Sequence, residues 1–276
     1  MLELSRTIRF CLNDPTGSPG GRHNTFAAWP AMRGLGRYYE LTVTCHGHAD
    51  PLTGYFINIK HIDQAVHQHA LPIFHQTLTS QPGGEVPLGH FMRRLVETLD
   101  PALHHTVGQI GLRLTPTCQI QIRRHDMDHV LIRQQYEFSA AHRLHVPSMS
   151  DEANRQVFGK CNNPAGHGHN YRLEVVVRSR IDEHGRTLDV ATLDQLVDQY
   201  VIDKLDHKHL NLDVPQFKDL NPSVENIVRV IWDMLADPIS ETWNRQTMLH
   251  ELSVWETSKT VCTYRGPARA ETPARG

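Results

Sequence analysis

No stretch of this chain approaches the roughly 18 consecutive apolar residues that a membrane-spanning helix needs, so nothing places it in a bilayer. A charge excess is missing as well. Lys and Arg total 28 against 30 Asp and Glu, a formal net charge of -2, and neither nucleic acid nor an anionic membrane is expected as a general partner. The opening MLELSRTIRF carries an acid at Glu3 and no apolar core of signal-peptide length. Export is therefore not expected, and a cytoplasmic location is. Cysteine is sparse: five residues, an odd number without framework spacing, which argues against a disulfide-stapled scaffold and for reduced thiols. Histidine is abundant instead, with 20 in 276 residues. Most of these must be surface or packing residues, so a lone histidine is weak evidence for a ligand.

Two dense clusters stand out. Gly159 to Tyr171 reads GKCNNPAGHGHNY, and Cys45-His46-Gly47-His48 reads CHGH. They belong to an internal repeat. YELTVTCHGHADPLTGYFINIKHIDQAV from Tyr39 lies over YRLEVVVRSRIDEHGRTLDVATLDQLV from Tyr171. The register pairs Tyr39 with Tyr171, Asp50 with Asp182, Gly54 with Gly185, Asp63 with Asp194 and Val66 with Val197. Two copies of one unit are expected, at 1–123 and 127–267, with HDMDHV between them and a disordered tail at 268–276.

In the second copy VLIRQQYEF and YRLEVVV alternate as half-buried strands do. Asp182-Glu183-His184-Gly185 is turn chemistry. Asp189 caps a helix bearing Leu193, Leu196, Val197 and Tyr200, and Pro222-Ser223 opens a second with Ile227, Val228, Ile231 and Leu235. LHELSVWET and TVCTYR close as strands. The expected class is α+β, with each unit ββααββ: an antiparallel four-stranded sheet carrying two helices on one face. Such sheets have open edges, so assembly is expected.

His142 ends the first strand of this copy, and His167 and His169 lead into the second. Residues i and i+2 of a strand share a face, so the H-x-H pair can converge on an ion that His142 reaches from the neighbouring strand. Three imidazoles suit zinc, and the lack of a fourth ligand leaves a position open for chemistry. The CHGH cluster is out of register: His46 and His48 lie over Arg178 and Arg180, not over His167 and His169. At the corresponding places the first copy has Asp14, Leu35 and Arg37. One metal ion per chain is expected.

FSAAHRL, GKCNNPAGHGHNYRLEV, LDHKHLN, NPSVENIV and VWETSKTVCTYRG, in this order, resemble the 6-pyruvoyltetrahydropterin synthase / 6-carboxytetrahydropterin synthase family over nearly the whole second copy. The resemblance implies two tandem tunnelling-fold (T-fold) units, a zinc enzyme, and 7,8-dihydroneopterin triphosphate as substrate. It implies that His142, His167 and His169 hold the zinc, that Cys161 is the general base, that Asp206 and His207 form an acid/base pair, and that Glu256 anchors the pterin. Ser223 and Glu225 are further substrate candidates, although a helix cap with a first-turn acid explains them equally. Lys160, Arg143 and Arg172 are candidates for the triphosphate.

The first copy has Phe74 for Asp206 and Leu114 for Glu256, and keeps His75 at the place of His207. It reads as a non-catalytic partner. Two products fit the family. The five residues between Cys161 and His167 resemble the pyruvoyl type, which leads; VCTYRG resembles the carboxy type, which serves deazapurine (queuosine) synthesis. A reading of another class is a pterin-binding or scaffolding subunit without turnover, against which the intact Cys161, His207 and Glu256 speak. In the family the Asp-His pair reaches the site from a neighbouring subunit. A homo-oligomer is therefore expected, most simply a trimer of two-unit chains.

Overall fold

A computed structural model of the chain describes residues 1–12, 26–32, 34–80 and 86–267. They form two compact units: residues 1–132 with 179–187, and residues 133–178 with those from 188 onward. Asp14 and the expected tail at 268–276 lie outside the described residues.

The first unit carries β1 (Leu2–Leu12), β2 (Arg37–Gly47), α1 (Ile59–Ala65), α2 (Leu71–Ser80), α3 (Leu88–Ala102), β3 (Val107–Thr115) and β4 (Cys118–Arg123). Its strands are antiparallel in the order β1-β2-β3-β4. Strand alternation separates the faces. Ile8, Phe10, Leu41 and Val43 are buried with Ile62, Val66, Met92, Leu95 and Leu99 of the helices. The alternate residues form cross-strand polar pairs: Ser5–Thr44 and Thr7–Thr42 hydroxyls at 2.8 Å, and Arg9–Glu40 at 3.1 Å. Asn58 caps α1 by accepting from the Lys60 N–H, and one π turn, Val66–Ala70, joins α1 to α2.

The second unit is built from most of β5 (Asp126–His142) with α4 (Asp151–Phe158), β6 (His167–Arg180), α5 (Val190–Val197), α6 (Asp203–Leu205), β7 (Lys208–His209), α7 (Leu210–Asp213), α8 (Val224–Glu241), β8 (Thr247–Thr257) and β9 (Thr260–Tyr264). The sheet order is β5-β6-β8-β9. Asp189 caps α5 through the Thr192 N–H, as the sequence indicates, and a π turn follows at Asp198–Ile202. The core gathers Phe138, Tyr171, Leu173, Val175, Leu193, Val197, Ile227, Ile231 and Leu235. The α+β class and the antiparallel character of the sheets agree with the sequence reading.

Three features depart from the simple ββααββ outline. HDMDHV is not a spacer: β5 begins at Asp126, and the division between the compact units falls inside this strand. A helix, α4, precedes β6, because the Ser150 hydroxyl accepts from the Ala153 N–H and Asp151 and Glu152 occupy its first turn. A short strand, β7, lies parallel to β5, with Lys208 opposite Ala140 and His209 opposite Ala141. The cause is local. Asp206 leaves the helical region and His207 adopts φ 55, so the chain turns out of α6 onto the sheet edge. No helix of the described residues is long and apolar enough to cross a membrane.

Candidate metal centre and active site

β5 delivers His142 at its last residue, and β6 begins with His167-Gly168-His169. Along β6, His167, His169 and buried Tyr171 share one face, as period-2 geometry requires. The turn before β6 needs glycine at Gly166. Its φ is +74, and a Cβ there would lie 2.7 Å from His209 Nε2 and 3.0 Å from the His142 carbonyl oxygen. The three histidines thereby converge, with one nitrogen of each within 4.8 Å of the others.

The donor set fits a metal ion. His142 is fully buried, and burial pushes its pKa down to about 4; burial also lowers that of His167. Neutral imidazoles present lone pairs. His142 Nδ1 donates to the Pro222 carbonyl at 2.7 Å, which fixes the tautomer and turns Nε2 toward His167 Nε2, 3.1 Å away. His167 Nδ1 and His169 Nε2 are buried without a hydrogen-bond partner among the described residues. Buried polar atoms are rarely left so, and a metal coordinated by this cluster accounts for the His169 nitrogen.

Glu256 comes from β8. Its Oε1 lies 3.5 Å from His142 Nε2 and 3.8 Å from His169 Nε2. The carboxylate therefore lies at the edge of the histidine cluster. Cys161 lies in the 3-10 turn Gly159–Asn162, partly buried, and its carbonyl accepts from the Leu144 N–H at 2.9 Å. Burial raises the pKa of the Tyr171 hydroxyl, and the charges of Glu256 and Cys161 raise it further, so both groups are electrostatic neighbours of the ring that floors the cluster.

Asp206 and His207 form a built pair. Asp206 Oδ1 accepts from the Ser139 N–H and Oδ2 from His207 Nδ1, each at 2.7 Å. The Ser139 and His207 bonds hold this carboxyl below its ordinary pKa. The His207 side chain is 83% exposed, and among the described residues no contact joins it to the histidine cluster. Ser223 sits at the N-cap of α8, next to Pro222, but its hydroxyl caps nothing. Glu225 is exposed, and its charge is felt by Cys262 of β9. Arg172 stacks over Trp255 at 4.1 Å, on the strand face opposite His169 and Glu256.

Several contributors escaped the sequence reading. The Pro222 carbonyl is backbone and leaves no mark in composition. His209 stands beside Gly166 and His142, with a buried Nδ1 that has no hydrogen-bond partner among the described residues. Its signal was the second histidine of LDHKHLN, overlooked because β7 was not foreseen. Asn162 is buried, and its Oδ1 takes bonds from Arg143 Nε at 3.2 Å and from His145 at 3.1 Å.

The first unit has no such centre among its described residues. Cys45 is buried in the core, while His46, on the other face of β2, pairs with Glu3 at 3.0 Å, and His48 is exposed. Phe74 is buried against Phe10, Tyr39 and Phe91. Leu35 is fully exposed.

A family model described as 6-pyruvoyl tetrahydropterin synthase matches residues 131–267. The 6-pyruvoyl tetrahydrobiopterin synthase of Poecilia reticulata is 42% identical over 130 residues, spanning 47% of this chain and 85% of that protein. The chain belongs to this family. The Homo sapiens 6-pyruvoyl tetrahydrobiopterin synthase is 37% identical over 150 residues, 54% of this chain and 93% of that protein. The solved Caenorhabditis elegans 6-pyruvoyl tetrahydropterin synthase aligns with a TM-score of 0.46 and 37% identity, over 50% of this chain and 96% of that one. The family range takes in the histidine cluster, Cys161, Asp206, His207 and Glu256, and leaves residues 1–130 outside it.

Proposed function

We propose that the chain is a zinc-dependent lyase that converts 7,8-dihydroneopterin triphosphate to 6-pyruvoyltetrahydropterin with release of inorganic triphosphate. The observation that carries this reading is the convergence of His142, His167 and His169 beside Glu256 within the residues matched to the family. Zinc held by the three imidazoles would polarise the side-chain oxygens of the substrate and so acidify the neighbouring C–H bonds. Glu256 takes the paired N–H donors of the aminopterin ring. Cys161 removes a side-chain proton as general base. His207, its tautomer fixed by Asp206, exchanges protons with the side chain. Ser223, whose hydroxyl makes no cap bond at the start of α8, is a further substrate contact; Glu225 is assigned the helix-terminal role only.

The overall conversion balances without an external oxidant. The C–O bond to triphosphate breaks and the two side-chain hydroxyl carbons end as carbonyls; of the four hydrogens they lose, one passes to the terminal methyl, two pass to the ring, and one leaves as a proton with the triphosphate.

We read the chain as two tandem T-fold units, the first without catalytic residues. The aligned pairs support this. Asp50 and Asp182 each accept backbone N–H bonds in their turns, and Gly54 and Gly185 both have positive φ, +73 and +78. Asp63 is bonded to Arg6 of β1 and Asp194 to Tyr136 of β5, and α1 and α5 each run into a π turn. The exposure of His207 supports an oligomer, read as three two-unit chains, in which this imidazole serves a neighbouring site. Five free cysteines fit a reducing, cytoplasmic setting.

The Cys161→Ala variant tests the assignment as an enzyme rather than a pterin-binding subunit. Pterin binding is expected to persist while turnover falls at least about 100-fold. Turnover close to wild type would refute the role of Cys161 as base.

A further inference from the structure

We infer that the cavity between α4 and the turn carrying Cys161 is the cradle of the substrate's triphosphate arm, with Arg143, Arg155 and Lys160 as its cations. This rests on the pterin substrate assigned above and adds where the polyanion lies. The cavity has a volume of about 590 Å³, and its lining includes Arg143, Arg155, Lys160, Asp151, Asn162 and Asn163. Three cationic side chains thus face one acid.

Its position is set by the reactive groups. Arg143 follows His142 of the metal cluster, and Lys160 and Asn162 flank Cys161. A substrate with its ring at Glu256 and its hydroxyls at the histidines must extend its phosphate end away from the cluster. Two residues of the cavity's lining, Lys160 and Asn162, are the sequence neighbours of Cys161.

Arg143 is preorganised for an anion. Its N–H donates to Asn211 Oδ1 at 2.8 Å, and its carbonyl accepts from Asn211 Nδ2 at 3.0 Å. Nε is bonded to the carbonyl and the side-chain oxygen of Asn162, both at 3.2 Å. The terminal guanidinium nitrogens have no partner among the described residues, and a fixed fork of this kind suits phosphate oxygens. Lys160 makes no side-chain hydrogen bond or ion pair among the described residues. Arg155 has only a 3.4 Å pair with exposed Glu152, a contact of little strength. Neither cation is committed to the fold, as a polyanion site requires. Arg172, stacked on Trp255, is not part of this cavity.

The test compares zinc-loaded wild type with Arg155→Ala/Lys160→Ala and with the charge-preserving Arg155→Lys/Lys160→Arg. Affinity is measured for 7,8-dihydroneopterin triphosphate and for phosphate-free 7,8-dihydroneopterin, along with competition by inorganic tripolyphosphate. Wild type should prefer the triphosphate ester by about tenfold or more, and the preference should weaken with salt. The alanine pair should lose most of that preference and most of the competition by tripolyphosphate, with its affinity for phosphate-free pterin within about twofold. The charge-preserving pair should keep the preference. If the alanine pair retains the full preference, or the charge-preserving pair loses as much, the cradle assignment is wrong while the pterin reading stands. If wild type binds neither pterin, the pterin reading fails and takes this assignment with it.

Discussion

Glu256 Oε1 stands 3.5 Å from Nε2 of His142, the buried imidazole whose other nitrogen is bonded to Pro222. The carboxylate is thus held at the edge of the histidine cluster, where the proposed ring anchor meets the proposed metal site. Glu256→Gln should weaken pterin binding by about 2–5 kcal/mol, since one partner of a desolvated charged contact is removed. Its closeness to His142 and His169 adds a second expectation: zinc should dissociate faster from this variant in a chelator-exchange assay. Unchanged KM and kcat would remove the anchor role. An unchanged zinc off-rate would show that the carboxylate leaves the metal alone.

Zinc content follows from the one histidine cluster found among the described residues. Purified protein should hold one zinc per chain. His142→Ala should lose most of it, and His46→Ala combined with His48→Ala should retain it, because His46 is paired with Glu3 and His48 is exposed. Metal analysis of the three proteins decides this, and two tightly held ions per wild-type chain would contradict it.

Exposure of His207 leads to a complementation experiment. Cys161→Ala and His207→Ala are each expected to be inactive. Unfolded and refolded together, they should regain part of the activity if one chain's His207 serves another chain's Cys161. A mixture that forms mixed oligomers yet stays inactive would place the whole site within one chain.

Acid stability reports on Asp100 in the first unit. Burial alone would raise its pKa, but bonds from Arg124 Nε at 3.0 Å, His105 at 3.2 Å and the Val107 N–H at 3.2 Å outweigh this and hold it below the ordinary carboxylate value. A depressed folded pKa means that the stabilisation is full above the ordinary carboxylate range. It is lost as pH falls through the folded value. Asp100→Asn should therefore cost about 1–3 kcal/mol at neutral pH and narrow its gap to wild type toward pH 3. Urea titrations at both pH values check this; a gap that widens on acidification would reverse the sign.

Much of the site was legible because it follows strand parity. His167 and His169 share a face by period 2, and the alignment sets CHGH out of register with them. Asp189 and Gly185 announced a helix start and a turn by residue type. The unread parts depend on chain segments distant in sequence. The Pro222 carbonyl reaches His142 across 80 residues, and β7 pairs with Ala140 and Ala141 of β5, far earlier in the chain. The 3.5 Å approach of Glu256 to His142 depends on how β8 and β5 are placed, which no local pattern encodes.

The most direct measurement is the mass of the product. Zinc-loaded protein incubated with 7,8-dihydroneopterin triphosphate should yield 6-pyruvoyltetrahydropterin and one equivalent of inorganic triphosphate. Recovery of 6-carboxytetrahydropterin, or of unchanged substrate bound to folded, zinc-loaded protein, would contradict the proposed reaction.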